Sequence, residues 1–131
     1  MHFLHPTERF EFEVPDEWLS AAGALNFRPQ ESAYAATSDQ KWPTILLPIN
    51  QVRAPRRDAG IAGLRKDRSI NVLLAMVQRV ALPPLEVHRQ PHEAGSSVEV
   101  RDGFHRYFLS IALGFTWLPV SVRPFFDMNA L

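Results

Sequence analysis

The 131-residue chain contains no cysteine, which excludes disulfides, thiolate metal sites and thiol catalysis. It has no long apolar run. Stretches such as Val72 to Met76 and Phe108 to Leu113 fall far short of the roughly 20 residues needed to span a bilayer. The opening residues Met1-His2-Phe3-Leu4-His5-Pro6 lack the charged and apolar regions of a secretory signal. Neither sign of charge is in excess, with 14 basic and 14 acidic side chains, which speaks against a generally basic nucleic-acid binder. There is no internal repeat, low-complexity tract or linker. These absences lead us to expect a soluble cytoplasmic protein of one domain, with no membrane partner. Its 46% hydrophobic content is enough for one real core.

What is present reads as alternating short strands and helices. Residues 9–14 (Arg-Phe-Glu-Phe-Glu-Val) alternate, placing Phe10, Phe12 and Val14 on one face of a strand. Pro15-Asp16-Glu17 before Trp18-Leu19 marks a helix start, with Gly23 as its left-handed end. Residues 26–42 show no period and read as irregular. Thr44 to Ile49 is an apolar run of strand length whose Pro48 points to a sheet edge. Ser69 to Val80 is the clearest helix, with Ile70, Leu73, Leu74 and Val77 as its apolar stripe, and Pro83-Pro84 blocks continuation. Leu85 to His88 alternates as a strand, followed by a polar loop to Ser97. Val98 to Arg101 is a second strand, Leu118 to Val122 a last one. This order predicts a compact α+β domain with a small mixed sheet and about three helices.

The most informative stretch joins the strand at Val98 to an apolar helix running from Gly103 to Leu113 and closed by Gly114. A strand feeding a helix through glycine leaves free N–H groups and partial positive charge at the helix start, which suits an anion. Asp102 can serve there as N-cap. Gly103 supplies backbone freedom, and His105 and Arg106 stand in the first turn. Arg106 matches phosphate geometry through its planar fork, and His105 can act as a neutral donor or as a proton shuttle near pH 7. Residues 1–39 carry seven acidic and two basic side chains, whereas residues 53–68 carry Arg53, Arg56, Arg57, Arg65, Lys66 and Arg68 against Asp58 and Asp67. Such a run is commonly a solvated loop; the alternative is that its arginines reach the same anion. His88, His92 and Glu93 lack a third firm ligand, so no metal site is assigned. Glu86 reads as a solvated strand position, with an acid–base role as the alternative. Trp117 and Phe125-Phe126 belong to the core or to a partner surface.

Residues 44–123 resemble the ParB/sulfiredoxin superfamily. The features that carry this are Ile45-Leu46-Leu47-Pro48-Ile49, the Ser69–Val80 helix, Pro83-Pro84-Leu85-Glu86-Val87, the Asp102-Gly103-Phe104-His105-Arg106 turn and Leu118-Pro119-Val120-Ser121-Val122. The resemblance implies a domain over residues 44–131 with a strand–helix extension at 1–43. It implies nucleotide phosphates bound at Gly103, Phe104, His105 and Arg106, with Arg53, Arg56, Arg57, Arg65 and Arg68 in support. A nucleoside triphosphate with Mg²⁺, or another phosphorylated small molecule, is the implied ligand. Asp102 and His105 are the candidate catalytic groups for phosphoryl transfer or nucleotide hydrolysis. The chain departs from the pattern in two places. Phe104 stands where sulfiredoxins carry their cysteine, and the Gly-Glu-Arg-Arg turn of the partition-protein CTPases is absent. The chain stops about where those proteins begin their helix-turn-helix, so sequence-specific DNA binding by that module is not expected. The alternative function is a catalytically inactive module of this fold that binds a protein partner.

Overall fold

The computed structural model describes residues 1–55, 63–89 and 97–124. At its start, strands β1 (His2–Leu4) and β2 (Glu11–Glu13) form an antiparallel hairpin with Phe3 opposite Phe12. Phe12 and Val14 are buried, as the alternation requires, while β1 is too short to show a period in the sequence. Helix α1 (Asp16–Ala21) starts after Pro15. It closes on Gly23 at φ +68°, where the Ala24 N–H donates to Leu19 and the Gly23 N–H to Ser20. Residues 26–42 are irregular apart from a single bridge between Ala36 and Leu82.

Five strands form a mixed sheet: β3 (Thr44–Pro48), β4 (Val52–Arg53), β5 (Leu85–Arg89), β6 (Val98–Asp102) and β7 (Trp117–Arg123). Their order is β3-β7-β5-β6-β4, with β7–β5 and β6–β4 parallel and the other two pairs antiparallel. The sequence does not announce β4, a two-residue strand reached through a 3-10 turn at Ile49–Gln51. As Pro48 predicts, β3 is an edge strand. The Ile49 N–H donates to Thr116, so the alternation of the ladder turns the N–H and C=O of Thr44 and Leu46 away from β7. The Ser38 hydroxyl accepts the Thr44 N–H at 3.0 Å, and Pro48 has none to offer.

Helix α2 spans Lys66–Val77, beginning three residues before Ser69 and stopping three before Val80. Its buried set is Ser69, Val72, Leu73 and Met76, with Leu74 36% exposed, so the core stripe lies one position away from the expected one. The spacing rule holds, but α2 packs on both α1 and the third helix, and this contact sets its rotation. Helix α3 (Phe104–Leu113) lies where the switch from strand to helical spacing predicts, with Phe108 and Ile111 buried and Gly114 as its left-handed end. One core joins all parts, since Phe12, Val14, Leu19 and Tyr34 are buried with Leu73, Leu85, Phe108 and Val120. The first 43 residues thus share the core of the rest. Among the described residues, no helix is long and apolar enough to cross a membrane.

Candidate functional site

The start of α3 differs from the expected cap. Asp102 is the last residue of β6, and the cap position belongs to Gly103 at φ +115°, with no side-chain capping bond. Only glycine fits there: a Cβ would sit 2.5 Å from Cδ2 of Leu85, which is itself fully buried. The close approach brings the Arg106 guanidinium back beneath the first turn, 3.4 Å from where that Cβ would be. Asp102 is exposed and faces Arg106 loosely, Oδ2 to Nη2 at 3.6 Å.

Arg106 is only 7% exposed, and its Nη1 donates to the carbonyls of Pro83 (2.7 Å) and Pro84 (2.9 Å). The Tyr34 hydroxyl donates to the same Pro83 oxygen at 2.9 Å. Burial raises the Tyr34 phenol, an effect partly offset by the Arg106 charge. The Pro83-Pro84 step therefore does more than stop α2. Its two carbonyls, with no N–H groups to accompany them, anchor a buried cation. Arg106 is thus a fixed positive charge with half its fork already engaged, rather than the free bidentate clamp expected from the sequence.

His105 links the two helix starts. Its Nε2 accepts the backbone N–H of Arg65, the residue before α2, at 3.0 Å. That bond requires an unprotonated Nε2 and puts the ring proton on Nδ1. Burial, followed by the charges of Arg68 and Arg65, lowers its pKa. His105 is therefore a neutral acceptor toward Arg65 and a neutral donor through Nδ1, not the imidazolium that a pH-following donor would require.

Arg65, Arg68, Asn71, Val72, Leu82, Pro83 and Arg106 line an open cleft of about 440 Å³. Arg68 and Asn71 stand three residues apart on α2 and Arg65 caps its start, so this polar side of α2 lines the cleft with Arg106. No carboxylate is among these lining residues, although the exposed Asp102 meets Arg106 at 3.6 Å. Of the residues expected at the site, Arg65, Arg68, His105 and Arg106 come together here. Arg53 lies instead on β4, opposite Glu99, and Phe104 lines a separate aromatic hollow with Trp18 and Phe108. Arg56 and Arg57 lie outside the described residues, as do His92, Glu93, Phe125 and Phe126. Glu86 pairs with Arg123 at 3.5 Å, and His88 is buried with Nε2 3.2 Å from Arg101. Tyr34 and Asn71 escaped the sequence reading. The position of Asn71, three residues after Arg68, was the available signal for it. Among the described residues, no three His, Asp or Glu side chains gather as metal ligands.

A scan of the chain against protein-family models finds no match, and a search of the curated proteins finds none either.

Proposed function

We propose that the cleft between α2 and the start of α3 binds the phosphates of a nucleotide or another phosphorylated small molecule. The observation that carries this reading is that three arginines line one cleft with no carboxylate among the lining residues. Arg65 and Arg68 are exposed and can pair with a phosphate; Arg106 supplies a fixed, buried charge on the same cleft. The resemblance to the ParB/sulfiredoxin superfamily supports the same reading. If the domain is an enzyme, its class is phosphoryl transfer or nucleotide hydrolysis, with Asp102 beside Arg106 and His105 beside Arg65 as the candidate groups. Mg²⁺ would arrive on the phosphates themselves, where it neutralises charge.

Calorimetric titration of ATP, CTP and GTP with Mg²⁺ tests this. Arg68→Ala removes an exposed charge without touching the core, and should weaken binding about ten- to a hundred-fold, the equivalent of about 1.5–3 kcal/mol. Absence of heat from the wild-type protein at millimolar nucleotide would overturn the reading. A second reading, a protein-binding module, draws on a different surface. Leu46 (49%) and Trp117 (41%) are exposed on one face beside the β3 edge, and Ile45 (45%) on the other.

A further inference from the structure

A second buried polar cluster joins the β1–β2 hairpin to α3, and no local pattern in the sequence marks it. The His5 ring is enclosed, and its Nδ1 accepts the backbone N–H groups of Glu8 (2.9 Å) and Thr7 (3.2 Å). Its Nε2 meets the Tyr107 hydroxyl of α3 at 2.5 Å and lies 3.5 Å from Oε2 of Glu8. That same Glu8 oxygen accepts the N–H of Ala54, just beyond β4. One side chain thus connects the β1–β2 hairpin to α3 and, through Glu8, to the end of the main sheet. The aromatic rings follow the same route. Phe10 lies 4.7 Å from His5, and Phe10 and Phe12 both set their rings edge-on to Phe108.

The hydrogen bonds dictate the charge state. Two N–H donors converge on Nδ1, so that nitrogen must present its lone pair and the ring proton must sit on Nε2. A second proton would set N–H against N–H twice, inside the protein, with the two backbone donors left unsatisfied. We infer that His5 is a proton-operated latch, which holds the β1–β2 hairpin over Tyr107 and Phe108 when neutral and releases it as a unit when protonated.

The titratable groups that meet His5 are Glu8 from its own loop and Tyr107 from α3. The β4 end brings the Ala54 N–H to Glu8, with Arg53 next to it in the chain. Glu8 favours the protonated ring, yet burial outweighs it and the imidazole titrates below its ordinary range. Tyr107 is raised by burial and then by Glu8, so it stays a neutral hydroxyl throughout. In the open hairpin, His5 meets water and titrates near its ordinary value of about 6.5. Below about pH 6.5 the open form therefore binds the proton first. Opening should rise by up to about tenfold per pH unit until the closed-state value is reached; above pH 6.5 it should be flat.

Hydrogen exchange followed by NMR on the intact chain, corrected for intrinsic rates, tests the latch. The amides of residues 3, 5, 12 and 14 should open more at pH 5 than at pH 6.5, by no more than about tenfold per pH unit, while those of α3 stay protected. The ring ¹⁵N shifts of His5 should report the Nε2–H tautomer at neutral pH. His5→Asn keeps an acceptor near the Thr7 and Glu8 N–H groups but cannot titrate, so its hairpin opening should be independent of pH over this range. Should that variant fail to fold, Tyr107→Phe must show weaker hairpin protection with the same pH slope. A flat profile in the wild type, hairpin and α3 amides opening together, or an unchanged slope in His5→Asn would each overturn the inference.

Discussion

At the scale of single residues, the contrast between Arg106 and Arg68 decides how the cleft should be probed. Arg106 is nine-tenths buried and satisfies two proline carbonyls, so its removal leaves both acceptors and a cavity behind. Arg106→Ala should lower stability by about 2–4 kcal/mol, a fall readable by chemical denaturation, whereas Arg68→Ala should stay within about 0.5 kcal/mol of wild type. Equal stability of the two variants would refute the anchoring role given to Arg106. The sequence could place Arg106 at a helix start beside a glycine, because that is a matter of local spacing. It could not show that the guanidinium is held by Pro83 and Pro84, more than twenty residues upstream. The same limit applies to His105. Its role as an acceptor depends on an N–H forty residues away, and no pattern around His105 carries that information.

At the scale of elements, legibility follows length and period. The turn from β6 into α3 was readable because alternation gives way to helical spacing at one glycine, and each half is long enough to show its period. β1 and β4 have three and two residues and therefore no period to read. α2 was readable as a helix, but its rotation was not: two candidate stripes share one spacing, and contact with α1 and α3 selects between them. Its end contains a second departure from local rules. Arg79 takes φ +59° where glycine is usual, with the Val80 N–H closing on Ala75, and its guanidinium donates to Gln30 at 2.6 Å. A left-handed non-glycine residue costs about 1–2 kcal/mol, more than an exposed hydrogen bond returns. Arg79→Gly should therefore stabilise the protein by about 0.5–1 kcal/mol in urea melts, after allowance for the greater entropy of glycine in the unfolded chain. A loss of stability would mean that the bond to Gln30 outweighs the strain.

At the scale of the whole molecule, three parts close on a single core: the hairpin, the five-stranded sheet and the three helices. Ser69 on α2 and Ser110 on α3, both fully buried, keep hydroxyls without a partner among the described residues, so these two helices retain unmet polar capacity inside that core. The two proposed sites share α3 but draw on different partners, α2 for the anion cleft and the hairpin for the latch, so Arg68 and His5 can be changed separately. The sheet ends differently on its two sides, and β3 carries one more consequence. An apolar edge with alternating free donors is a template on which copies of a chain can polymerise. Along β3 that template is interrupted: Ser38 occupies the Thr44 donor, Pro48 supplies none, and among the described residues nothing pairs with the outward N–H and C=O of Leu46. The combined change Ser38→Ala and Pro48→Val restores donors on both sides of Leu46. Light scattering of that variant should show concentration-dependent assembly well above wild type, and scattering equal to wild type would count against the idea. Two small residues, one of them outside the sheet, would then set the concentration at which this protein stays in solution.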